Sequence, residues 1–110
     1  MKRLFISQPM GGKTNNEILA ARYIAIEEAE RALGEQVEPI DSFFADAPAD
    51  AKPLWYLGRA LQLMSEADVI YFVPGWEDAR GCRIEHQAAV QYDMCRIEKV
   101  GDITLIKGYA

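Results

Sequence analysis

Glu85 is the residue around which a chemistry can be built. It follows a loop, Pro74 to Gly81, that carries Pro74, Gly75 and Gly81, all residues that break regular structure. A helix is expected from Arg83 to about Arg96, which puts Glu85 in its first turns. There the free amide groups and the helix dipole favour a carboxylate over a carboxylic acid. A fixed, ionised carboxylate is what attack on an anomeric carbon requires. A glutamate at that place also complements the dipole without doing any chemistry, and position alone leaves both roles open.

A second candidate is the loop Ser7-Gln8-Pro9-Met10-Gly11-Gly12-Lys13-Thr14. Two adjacent glycines let the backbone approach a ligand closely. Lys13 and the following helix N-terminus can offset anionic charge. The spacing is neither the GxxxxGK[ST] of a P-loop nor the GxGxxG of a dinucleotide fold, so the loop reads as a ligand cradle or as a plain tight turn. Trp76 can stack on a base or sugar, or cap the core. Arg80 can pair with a phosphate or carboxylate, or be solvated. His86 follows Glu85, but neighbours on a helix point about 100° apart, so a structural or surface role fits it better. Cys82 and Cys95 read as small apolar fillers.

The elements that must position these residues alternate in type. Leu4 to Ser7 reads as a buried strand. A helix capped by Asn15 or Asn16 runs to about Leu33 and ends at Gly34. Its apolar positions include Leu19, Tyr23, Ile26 and Leu33, and Ala21, Ala25, Ala29 and Ala32 form a small-residue face suited to lying on a sheet. Val37 to Ile40 is a weaker strand, and Pro39 places it near a sheet edge. The acidic loop Asp41 to Lys52 leads to a second helix that opens at Pro53, with Leu54, Leu57, Leu61 and Met64 in one stripe. Val69 to Val73 is apolar throughout and reads as a central strand. Ile103 to Ile106 is a last short strand. This alternation predicts a small, mainly parallel sheet with helices on both faces. Such sheets bind ligands outside the carboxyl ends of their strands, where the loops Gln8–Thr14, Asp41–Lys52 and Pro74–Gly81 fall.

Composition narrows the functional classes. The chain has 110 residues, 50% of them hydrophobic, which supports one domain and one core. Seventeen acidic and 12 basic residues give a net charge of −5. That balance argues against nucleic acid polymers, which need a basic face, and against anionic membranes. It does not exclude one small anion. Leu4-Phe5-Ile6 is too short for a secretory segment, and Val69 to Val73 is too short to span a bilayer. One histidine and two widely spaced cysteines make a zinc site improbable. The expected setting is cytoplasmic, reduced and metal-free.

Two phrases carry a family resemblance: Phe5-Ile6-Ser7-Gln8-Pro9-Met10 with Gly12, and Ser65-Glu66-Ala67-Asp68 through Pro74-Gly75-Trp76 to Gly81 and Glu85. They resemble a group of small uncharacterised bacterial and phage proteins that is similar to the nucleoside 2-deoxyribosyltransferases and deoxynucleoside 5′-monophosphate N-glycosidases. The likeness runs from Leu4 to about Met94. It implies a single domain over residues 1–110 with a flavodoxin-like three-layer α/β fold and a four- to five-stranded sheet. It also implies a homo-oligomer, dimer or larger, with sites near subunit contacts, and no cofactor. The implied activity is cleavage of an N-glycosidic bond, or deoxyribosyl transfer, on a small nucleoside or nucleotide, with Glu85 attacking C1′. Ser7, Gln8, Met10, Gly11 and Gly12 would lie against the substrate, as would Asp41, Trp76, Arg80 and Gly81. The family commonly places a tyrosine where Phe5 stands, an aspartate in the second helix where Ala60 stands, and in some members an aspartate where Ala79 stands. Asp78, one residue away, is the candidate substitute. With those partners missing, a non-catalytic nucleotide-binding protein on the same fold is the alternative.

Overall fold

The computed structural model describes every residue except Phe43, Ala45 and Ala110. Strand β1 (Lys2–Ser7) is followed by helix α1 (Asn15–Leu33), β2 (Val37–Pro39), α2 (Pro53–Met64) and β3 (Val69–Phe72). A short 3-10 turn (Trp76–Asp78) leads into α3 (Arg80–Gln91), β4 (Arg96–Val100) and β5 (Ile103–Lys107). The five strands form one sheet in the order β2-β1-β3-β4-β5. The first three pairings are parallel, and β5 returns antiparallel on β4. This is the flavodoxin-like strand order.

The alternation of β1 explains the layers. Leu4 and Ile6 point to one face, where they join Ala25 and Ala29 of α1 in one core cluster. Phe5 points to the other, where it joins Ala60, Leu63 and Met64 of α2 and Ala89 of α3. One helix therefore covers one face and two cover the other, the arrangement that right-handed crossovers impose when the strand order reverses at β1. The reversal opens a crevice between the carboxyl ends of β1 and β3, where Ser7 pairs with Phe72.

Several sequence expectations are corrected. Thr14, not Asn15 or Asn16, caps α1: its hydroxyl accepts from Glu17 N and the Glu17 carboxylate accepts from Thr14 N, a full capping box. The buried stripe of α1 is Ile18, Arg22, Ala25 and Ala29, so Ala25, Ala29 and the partly buried Ala32 pack as expected, Ala21 joins no core cluster, and Leu19 and Tyr23 are exposed. Leu54 of α2 is likewise exposed, and Ala60, Leu63 and Met64 take the core. The third helix begins at Arg80 and ends at Gln91, and Arg96 opens a strand instead of closing that helix. The charges of β4 are paired: Arg96 with Glu98 in the same strand, and Lys99 with Glu28 of α1.

Candidate active site

Glu85 stands at the crevice. The inward stripe of α3 is Cys82, Glu85 and Ala89, spaced so that all three face the sheet. Ser7 is the last residue of β1 and lies on the same sheet face as Phe5. The two meet: the Ser7 hydroxyl donates to Glu85 Oε1 at 2.7 Å, with both residues buried. Burial pushes the Glu85 carboxyl above the ordinary range, and the Ser7 hydrogen bond opposes that rise.

The helix dipole is not what ionises Glu85. Because α3 starts at Arg80, Glu85 lies in its second turn, beyond the reach of the free amide groups. Ser7, not the helix terminus, holds its charged form. Ser7 stands two residues beyond Phe5 on β1, on the same face of the sheet. Phe5 itself is 2% exposed and sits in the core, as does Ala60 at 5%. Burial, reinforced by the Glu85 charge and only partly opposed by Ser7, pushes the Cys82 thiol up to about 11. At neutral pH it is therefore an uncharged neighbour of Glu85.

The first loop is held from beneath. Gln8 is buried, and its Nε2 donates to the Ile18 carbonyl. Its Oε1 accepts from Arg22 Nη1, which also donates to Ser42 Oγ at 3.0 Å, while Nη2 donates to the Ile40 carbonyl at 3.2 Å. Arg22 therefore ties the loop after β1 to the loop after β2. Asp41 supports its charge, which burial opposes. Met10, Gly11 and Gly12 are exposed above this base, and Lys13 N donates to the Met10 carbonyl to close the turn.

The third loop is partly filled by its own aromatics. Trp76 stacks on His86 with ring centroids 4.0 Å apart and an interplanar angle of 22°. Phe72 packs against both rings. His86 Nε2 lies 3.0 Å from Glu98 Oε2. Burial alone would push the Glu98 carboxyl up; His86, Lys107 and Arg96 together bring it below the ordinary range. One face of Trp76 is therefore occupied from within the chain.

The structure joins Ser7 to Glu85, and Gln8 to the loop that carries Asp41. Asp78 and Arg80 lie exposed at the 3-10 turn and the start of α3. A Cβ on Gly11, Gly12 or Gly81 would meet nothing within 4 Å, so these three border open space. Sequence reasoning missed Arg22. Its only signal was a charged residue at the spacing of the buried stripe of α1. Among the described residues, no group of three or more His, Cys, Asp or Glu side chains is placed to hold a metal ion. No helix among them is long and apolar enough to cross a membrane.

Residues 2–109 match a protein family described as a domain of unknown function, DUF4406, and the chain belongs to that family. No curated protein and no solved structure matches it.

Proposed function

We propose that this member of the family cleaves the N-glycosidic bond of a nucleoside or nucleotide, or transfers its deoxyribosyl group, with Glu85 as the nucleophile. The observation that carries the reading is the Ser7–Glu85 hydrogen bond, buried at the carboxyl edge of the sheet where the strand order reverses. Ser7 engages Oε1, which leaves Oε2 to attack C1′ of the sugar. The C1′–N bond breaks, the base leaves with its electron pair and takes a proton from water, and a glycosyl ester forms on Glu85. Water or a second base then attacks C1′ and releases the carboxylate. Desolvation makes the carboxylate a stronger nucleophile once ionised, and the Ser7 hydroxyl keeps it oriented. Exposed Lys13, Arg80 and Arg83 on the surrounding turns suit a substrate bearing phosphate. The setting is the reducing cytoplasm, consistent with two free, buried cysteines.

Binding without cleavage is the second reading. It is favoured by Phe5 and Ala60, which are core residues at the places where the resembling enzymes carry a tyrosine and an aspartate. Incubation with a panel of deoxynucleosides and their monophosphates separates the two. Free base that disappears in Glu85→Ala supports the enzyme. A ligand that raises the melting temperature and is recovered intact supports the binder. Base release that survives Glu85→Ala removes the assigned role, and no stabilisation by any nucleotide removes both readings.

A further inference from the structure

The outer face of α1 exposes apolar residues at its middle, Glu17 near one end, and Glu27 and Arg31 toward the other. Ala20, Tyr23 and Ile24 are exposed there, Tyr23 at 69% and Ile24 at 55%. Glu17, Ala20, Ile24, Glu27 and Arg31 follow one another at alternating steps of three and four residues, the spacing of a helix–helix seam. Glu17 and Arg31 each lie seven residues from Ile24, on opposite sides of it.

We propose that this face pairs with the same face of a second copy of the chain, with the two α1 helices antiparallel about a two-fold axis at Ile24. A two-fold interface must be self-complementary, each residue meeting on its partner what its partner meets on it. The Ile24–Ile24 and Glu17–Arg31 contacts meet that condition, while Glu27 falls opposite position 21 of the second copy, a small alanine. Ile24 faces its own copy, Tyr23 packs beside it, and small Ala20 leaves room for the helices to approach. Glu17 of each chain faces Arg31 of the other, giving two opposite-charge contacts. Glu27, one turn before Arg31, adds favourable support within each helix. A parallel pair would set Glu17 on Glu17 and Arg31 on Arg31, so the charge pattern selects the antiparallel arrangement. An acidic or basic partner of another kind would satisfy only one end of the seam. The proposal rests on the outer face of α1 alone, so it stands independently of the reaction assigned to Glu85.

Sedimentation or light scattering on the full chain at tens of micromolar is expected to show a dimer. Ile24→Glu is expected to give a folded monomer, with circular dichroism reporting the fold. Glu17→Arg and Arg31→Glu should each weaken the dimer by about tenfold, since each puts like charges in contact twice. Mixing those two variants should restore it, because in the mixed dimer both contacts are again opposite in sign. The mixing also guards against loss of the Glu17 cap as a trivial cause. A monomeric native chain, a dimer indifferent to Ile24→Glu, or single variants not rescued by mixing would each overturn the proposal.

Discussion

Ser7 donates its hydroxyl to Glu85 Oε1 at 2.7 Å, joining the end of the first strand to the second turn of the third helix. Two opposed influences meet on that carboxyl: burial raises its pKa, and the Ser7 hydrogen bond lowers it. Ser7→Ala removes the second and leaves the first. The carboxyl should then titrate at higher pH than in the native chain, as followed by the carbon chemical shift of Glu85. If Glu85 is the nucleophile, the acid limb of the pH–rate profile should move up with it. The rate at neutral pH should fall by about 10- to 100-fold, the worth of one hydrogen bond to a charged group. An unchanged titration midpoint would mean that the hydroxyl does not hold the charge.

The same burial makes Glu85 costly to the fold. Its folded pKa lies above the unfolded one, so in the interval between them the native state binds more protons than the unfolded chain. Stability contributed by this site therefore falls as pH rises through that interval, and the loss is complete above the folded pKa. Glu85→Gln keeps the shape and can still accept from Ser7, but it never charges. At neutral pH it should be more stable than the native chain by about 1 kcal/mol, a usual gain when a functional group is replaced for stability. That gain should shrink as pH falls toward the ordinary glutamate value. Thermal melts of both proteins across the acid range measure it, and a gain that grows on acidification would contradict the assignment.

Arg22 should act on two loops at once, because one guanidinium bonds Gln8 after β1 and both Ile40 and Ser42 after β2. Arg22→Ala leaves those acceptors without their donor in a buried setting. A loss of about 2–4 kcal/mol is expected in denaturant unfolding. Hydrogen exchange should quicken around Gln8 and Ser42 together. Loosening confined to one loop would show that the arginine does not couple them.

The legibility of these features in the sequence follows from how local their causes are. β1 and β3 could be read because their apolar runs have few other uses, and the end of α1 because Gly34 adopts a left-handed conformation at φ 71°. β4 was hidden because Arg96, Glu98 and Lys99 suit a helix surface as well as a strand; what stabilises them there is His86, Glu28 and Lys107, residues brought close only by folding. The start of α3 was misplaced because Ala79 supplies no side-chain cap. The position of Glu85 at the strand ends follows from element order, but its partner does not. Ser7 is 78 residues away in the chain, and only the register of the sheet against α3 makes them neighbours.

Gly81 separates a site from a merely folded surface. It is the second residue of α3, and a Cβ added there would meet nothing within 4 Å. Alanine is the better helix former, so Gly81→Ala should leave the chain as stable as before, or more stable by up to about 1 kcal/mol. The added methyl group projects into open space one helical turn before Glu85, on the same side of α3. If substrate approaches Glu85 there, Gly81→Ala should raise KM or the nucleotide dissociation constant while the melting temperature holds or rises. Glu85→Gln, by contrast, should abolish turnover and spare binding. The pair of variants thus divides substrate access from chemistry. A Gly81→Ala protein with unchanged affinity would move the substrate path away from the start of α3.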